Sequence, residues 1–250
     1  MDESALFGGV FAGLVYFAVG VRLIHLSWRS LRSPELILGL SLLMWSVSYA
    51  WWQVPIIAAD RPLAQPLFFP ARVFDHAGMV CFAYFVRVVF RKRERWAGML
   101  VLAIAIAFAW SIAGSIAVGD WEVMRPLENP WWWVGWMATF VPLIWITLEG
   151  FSGYSDLRRR ARLGLCDPID CHRMLLWGAL GVVWTVYTWS FAYQTLDVET
   201  NRQWSAALER AFSALDAAGV AIVWLIFFPP RFYRAWIRGG ERSARTREAR

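Results

Sequence analysis

Lysine is almost missing from this chain. Of 25 basic residues only Lys92 is a lysine, and it stands in the polar run Arg91-Lys92-Arg93. A retinal Schiff base needs a lysine amine deep inside a helix, so a rhodopsin-type pigment is excluded. Histidine is scarce too: His25, His76 and His172 are the full set, and one is expected at the opposite membrane side from the others. Membrane hydrolases that gather several histidines around zinc cannot be assembled from them. Cysteine occurs three times, at 81, 166 and 171. An odd count with two on one expected face argues against a disulfide framework. Cys166, Cys171 and His172 match no standard zinc spacing and lack a fourth ligand. There is no G-x-S-x-G turn, no Gly-rich phosphate loop and no paired intramembrane aspartate motif. No complete catalytic constellation is visible, so neither an enzyme nor a cofactor is expected.

Charge of any kind is thin, at 18% of residues against 58% hydrophobic. Soluble chains run near 25% and about 45–50%. A soluble core of 250 residues does not hide that much apolar surface, whereas lipid tails replace water as its solvent. A membrane helix needs about 20 largely apolar residues, each rising about 1.5 Å across a core of about 30 Å. Seven segments qualify: 5–26, 35–57, 69–90, 96–118, 131–151, 171–195 and 206–228. Barrel strands would show short, strictly alternating segments, and that pattern is absent. The expected fold is an all-α bundle of seven transmembrane helices over residues 1–228. Residues 229–250 form a basic tail.

Arginine sorts the two faces. Arg22, Arg29 and Arg32 follow the first segment; Arg87, Arg91, Lys92, Arg93 and Arg95 follow the third. Arg158, Arg159, Arg160, Arg162 and Arg173 lie between the fifth and sixth, and Arg231, Arg234, Arg238, Arg242, Arg245, Arg247 and Arg250 lie in the tail. Twenty of the 25 basic residues thus fall on one side. The other side holds Arg61, Arg72, Arg125, Arg202 and Arg210 among acidic groups such as Asp120, Glu122, Glu128, Asp197 and Glu199. The positive-inside rule then places the amino terminus outside and the tail in the cytoplasm. The arginine bias points to a GC-rich bacterial genome and so to the bacterial inner membrane. The first apolar segment follows Asp2 and Glu3 rather than a basic stretch, so it reads as a span and not a cleaved signal.

The chain carries 18 tryptophans. Those at 51, 52, 96, 121, 131, 132, 133, 204 and 236 fall near expected interfaces, where an amphipathic ring meets the headgroups. Trp45, Trp145, Trp184, Trp189 and Trp224 are expected deeper, as packing or as a cavity lining. In the tail, Arg231-Phe232-Tyr233-Arg234-Ala235-Trp236-Ile237-Arg238 interleaves basic and aromatic residues, as a short helix on an anionic inner leaflet would. The chain beyond Gly240 reads as disordered. Nucleic acid is not an expected partner, because the basic residues mark topology rather than one soluble face.

Ionisable residues inside spans are costly and therefore informative. The third segment carries Arg72, Asp75 and His76 on one helical face. The seventh carries Glu209 and Arg210 near its outer end and Asp216 about two turns deeper. A polar pocket open to the outer side, built from Arg72, Asp75, His76, Asp216 and Arg210, is one reading. Interhelical pairs that only neutralise charge, Arg72 with Asp216 or Arg210 with Asp75, are another. Arg72, Glu209 and Arg210 at the headgroups are a third. On the arginine-rich side, Asp167-Pro168 and Ser33-Pro34-Glu35 read as helix starts.

The stretch Arg162-Leu163-Gly164-Leu165-Cys166-Asp167-Pro168, then Arg173-Met174-Leu175-Leu176-Trp177-Gly178, together with Arg29-Ser30-Leu31-Arg32-Ser33-Pro34-Glu35-Leu36, resembles a group of uncharacterised bacterial seven-helix proteins. The architecture is also similar to the seven-helix sensor region of some bacterial histidine kinases, here without the kinase. That resemblance implies a non-enzymatic sensor or accessory protein whose output passes through a signalling or membrane partner. A different precedent comes from the halves of the chain. Segments 1–3 and 5–7 both start outside and both place an Arg-rich loop and a proline before their second helix, as parallel repeats around a linker helix would. That arrangement belongs to small-solute transporters.

Overall fold

The computed structural model describes the backbone of residues 3–30, 33–58, 61–118, 129–199 and 206–237. It describes their side chains except at 3–10, 52–68, 162, 191–199, 206–210, 212 and 213. Among the described residues the chain is helical and has no strand. The helices are α1 (Glu3–Ser30), α2 (Ser33–Ala58), α3 (Arg61–Phe90), α4 (Arg95–Ala117), α5 (Pro130–Arg162), α6 (Pro168–Glu199) and α7 (Ala206–Phe227). A short α8 (Arg231–Ile237) is bent 79° from the end of α7.

Four helices are long and apolar enough to cross a membrane among the described residues, through Phe11–Ser30, Phe69–Phe90, Arg95–Ala117 and Pro130–Ala161. The bent pair of α7 and α8 makes a fifth if it counts as one span. The chain is a multi-pass membrane protein, with fewer spans meeting that standard than the seven expected. Its perimeter fits lipid. Leu14 and Phe17 on α1, Met99, Leu102 and Ile106 on α4, and Leu148 on α5 all face outward. So do Trp189 on α6 and Trp224 on α7, two tryptophans expected to lie deep; Trp45, Trp145 and Trp184 are buried as expected. Water would not tolerate so continuous an apolar belt.

Each helix packs on its successor, α7 closes back onto α1, and α3 also touches α5. The result is a closed ring with α4 set outside it against α3 and α5. Exchanging α1 with α5, α2 with α6 and α3 with α7 maps the contacts α1–α2, α2–α3 and α7–α1 onto α5–α6, α6–α7 and α3–α5. The bundle therefore has the contact pattern of two three-helix halves joined by a linker helix.

Lipid supplies no hydrophobic drive between helices, so close backbone approach and buried hydrogen bonds must hold them. Glycine supplies the approach. A Cβ on Gly20 would stand 2.9 Å from the carbonyl oxygen of Gly39, and one on Gly39 equally near that of Gly20. In the other half, a Cβ on Gly150 would run into the backbone of Gly178. Serine supplies the hydrogen bonds around α2. Ser46 donates to the Gly13 carbonyl of α1 at 2.8 Å. Ser41 and Ser48, seven residues apart and so on one face, donate to the Gly78 and Ala71 carbonyls of α3 at 2.8 and 2.9 Å.

Several helices outrun the expected spans. α5 continues to Arg162 rather than ending near 151; at about 1.5 Å per residue it is about 50 Å long, more than a hydrocarbon core of about 30 Å requires. At this arginine-rich end Arg91 grips Glu149 of α5 in a two-pronged pair of 2.6 and 3.1 Å, and Trp145 donates its indole N–H to the same carboxylate at 3.1 Å. The Asp167 carboxylate accepts the Ile169 N–H at 3.0 Å, capping α6 as the sequence implied. α8 docks through His172, whose ring meets those of Tyr233 and Trp236, and through buried Ile237. Packing there pushes the Tyr233 phenol above its ordinary pKa by desolvation.

Candidate functional site

A part-buried polar cluster is built by α2, α6 and α7. The Tyr49 hydroxyl lies 3.4 Å from Oδ1 of Asp216 and 3.4 Å from the Tyr187 hydroxyl. Tyr49 has one proton. Giving it to the carboxylate leaves a lone pair free to accept from Tyr187. Both contacts are long for O–H···O bonds, so the cluster is assembled but not tight. The Asp75 side chain of α3 is 39% exposed. Next to this cluster Trp45 and Trp184 meet edge to face, 5.1 Å apart and at 81°, with Tyr16 and Phe82 packed against both.

These groups come in matched pairs. Trp45 follows Gly39 by six residues, and Trp184 follows Gly178 by six. Asp75 precedes Gly78 by three, and Asp216 precedes Gly219 by three. The contacts repeat with the spacing. A Cβ on Gly78 would fall 2.7 Å from Cδ1 and Nε1 of Trp45, and one on Gly219 would fall 2.9 Å from Nε1 of Trp184. Each indole edge thus rests on the glycine of the next helix, one turn from an aspartate. Gly39 and Gly178 are also the glycines that touch α1 and α5. The two halves deliver a tryptophan and an aspartate each by the same local geometry.

The α3 groups divide between two surroundings. Arg72 turns to α4, donating to Ser111 Oγ at 2.8 Å and Ser115 Oγ at 3.0 Å. Ser111 passes its own proton to the Trp131 carbonyl at 2.7 Å. Ser115 also accepts from Asn129, whose side-chain oxygen caps α5 at the Trp131 N–H. Arg72 is therefore a strap across α3, α4 and the start of α5. His76 is 8% exposed, lies 4.4 Å ring to ring from Phe108, and keeps Nδ1 3.6 Å from the Asp75 carboxylate. Neither ring nitrogen has a hydrogen-bond partner among the described residues. Gly135 makes room for it: a Cβ there would stand 3.1 Å from His76 Nε2 and 2.5 Å from Ser111 Oγ.

Of the five expected site residues, the structure joins Asp216 to Tyr49, which also meets Tyr187, and sets His76 beside Asp75, Phe108 and Gly135. It holds Arg72 apart, on the serines of α4. Of the expected Arg72–Asp216 pair, Asp216 contacts Tyr49, while the hydrogen bonds of Arg72 go to the α4 serines. Arg210 lies on α7, but its side chain and that of Glu209 are outside the described residues. Tyr49, Tyr187, Ser111, Ser115 and Asn129 were not expected. The repeated Asp-x-x-Gly and Gly-x5-Trp spacings were the available signal for the centre. Cys166 and Cys171 place their sulfurs 3.5 Å apart as free thiols. Among the described residues no three of His, Cys, Asp and Glu come together to hold a metal ion. No family model, curated protein or solved structure matches the chain.

Proposed function

We propose that this chain crosses the bacterial inner membrane seven times, amino terminus outside, and works there as a non-enzymatic sensor or accessory protein. Its ligand is a small cation or a proton, received by Asp75 and Asp216 with Tyr49, Tyr187 and His76. One observation carries this reading: a carboxylate and two phenols from three helices, Asp216, Tyr49 and Tyr187, meet in a part-buried cluster of an apolar bundle. An ionised carboxylate there is costly without a counter-charge, so a cationic species is the natural occupant. Binding changes the charge at the point where α2, α6 and α7 meet. A shift in their packing then carries the signal to the arginine-rich end, where a membrane or signalling partner reads it. The Trp45–Trp184 contact and its aromatic surround fill the centre of the bundle, which favours reception over passage.

The matched halves favour a second reading, a small-solute transporter of 3+1+3 architecture with the paired aspartates on its path. Reconstituted protein separates the two. For a sensor, tryptophan fluorescence in liposomes responds to protons or small organic cations without flux, and Asp216→Asn removes the response. Solute flux that Asp216→Asn abolishes would establish the transporter instead. A response that survives Asp75→Asn and Asp216→Asn together would end both.

A further inference from the structure

The end of the molecule remote from the Asp216 cluster has its own cleft. It lies where α1, α6, α7 and α8 meet, encloses about 490 Å³, and is lined by Arg22, Arg173 and Arg234 together with Asp167, Asp170, Phe227 and Phe228. Asp167 caps α6 and Asp170 pairs with Arg173 at 3.4 Å, so the three guanidinium groups outnumber the two carboxylates and the cleft keeps a net positive charge. Arg22 and Arg234 have no carboxylate partner among the described residues. Arg22 is held by its flat face, 4.1 Å over the ring of Phe228, which leaves its N–H edge free. Two guanidinium groups with unused donors, above an apolar floor, form a receptor for a phosphate oxyanion.

The surroundings say where that phosphate comes from. Trp28 on α1 and Phe232 and Trp236 on α8 are 74%, 75% and 67% exposed. Exposed aromatics around a basic cleft at the end of a membrane bundle belong at the headgroup layer. We propose that this cleft binds the phosphodiester of an anionic phospholipid, gripped by Arg22 and Arg234. The lipid pins α8 against α1 and α6. The shared chemistry is an organic phosphate, and the membrane is its source. This inference rests on the membrane-embedded fold and not on the identity of any ligand at Asp216, so either can fail alone.

Native mass spectrometry of the full chain, released from nanodiscs of phosphatidylcholine doped with phosphatidylglycerol or cardiolipin, tests it. One anionic lipid is expected to stay bound in preference to phosphatidylcholine. Each basic residue near an anionic surface is worth about a factor of five, so R22Q/R234Q should weaken retention roughly thirtyfold. R93Q, on an exposed arginine of the α3–α4 loop, should leave it unchanged. Arg234 is exposed, so R234E alone keeps the fold and must also lose the lipid. Equal retention of phosphatidylcholine, or undiminished retention in R234E, overturns the proposal. Displacement of the lipid by glycerol 3-phosphate at matched concentration overturns it too, because the phosphate would then come from solution.

Discussion

Arg72 ties α3 to α4 through two hydroxyls. Ser111 and Ser115 accept from the guanidinium and at the same time tie α4 to the Trp131 carbonyl and to Asn129. Both serines are fully buried, so truncating either leaves an arginine N–H without its acceptor. Ser111→Ala should cost about 1–3 kcal/mol, since a buried donor loses its partner. Ser155→Ala, on an exposed turn of α5, should stay within about 0.5 kcal/mol. Thermal unfolding of the purified protein in detergent reads the difference. Equal melting temperatures would remove Arg72 from its role as a strap. The Arg91–Glu149 pair behaves differently. Its arginine is 43% exposed, so Glu149→Gln should cost only about 1 kcal/mol, and less in high salt. Hydrogen bonding to Glu149 raises the guanidinium pKa. A raised basic pKa stabilises below the unfolded value and is lost only as pH climbs through it, far above any working range. Salt is therefore expected to weaken this contact where alkali does not, and salt-dependent melting of wild type against Glu149→Gln checks the sign.

Between helices the deciding feature is the missing Cβ. Gly150 faces the backbone of Gly178, while Gly153, one turn on, meets only the flexible Met174 side chain at 3.4 Å or more. Gly150→Ala should separate α5 from α6 and lower the yield of folded protein sharply. Gly153→Ala should be neutral or slightly stabilising, because alanine also favours the helix. The same yield from both would mean that the two backbones do not approach as described. Helices were the most legible part of the sequence, because long apolar runs between arginine loops have few other uses. The α6 cap was legible for the same local reason: Asp-Pro at a helix start satisfies N–H groups within a few residues. Helix partners were not legible. Ser41, Ser46 and Ser48 look like polar blemishes in an apolar run until α1 and α3 supply the carbonyls. Arg72, Asp75 and His76 share a face by spacing, yet Arg72 reaches the α4 serines while His76 packs on Phe108, contacts decided by neighbours remote in sequence. Asp216 was identified by its cost in the membrane, but the two tyrosines beside it carry no charge to betray them.

At the scale of the whole molecule, the paired geometry bears on how the site works. If each aspartate is one turn from the glycine that seats a tryptophan, widening either seat should disturb the Trp45–Trp184 contact from opposite sides. Gly78→Ala would press on Trp45 and Gly219→Ala on Trp184, at 2.7 and 2.9 Å before relaxation. Both should shift near-ultraviolet circular dichroism of the indoles in the same direction, while Gly13→Ala, 3.4 Å from the Tyr49 Cβ, should leave it unchanged. A change in one variant only would mean that the halves share a spacing and not a working geometry.

The two ends of the chain carry the last test. Arg22, Arg173 and Arg234 share one cleft at one end of the bundle, and an arginine left in the hydrocarbon or translocated outward is costly. The proposed seven crossings put all four arginine-rich segments of the sequence on one side, whereas an even number would return the tail to the side of the amino terminus. In a chain freed of Cys81, Cys166 and Cys171, Glu3→Cys should react with a membrane-impermeant maleimide in intact cells. Arg247→Cys should react only after the membrane is opened. Labelling of both positions in intact cells would mean an even number of crossings. The arginines would then be signals of something other than topology, and the arginine-lined cleft would lose its place at the inner leaflet.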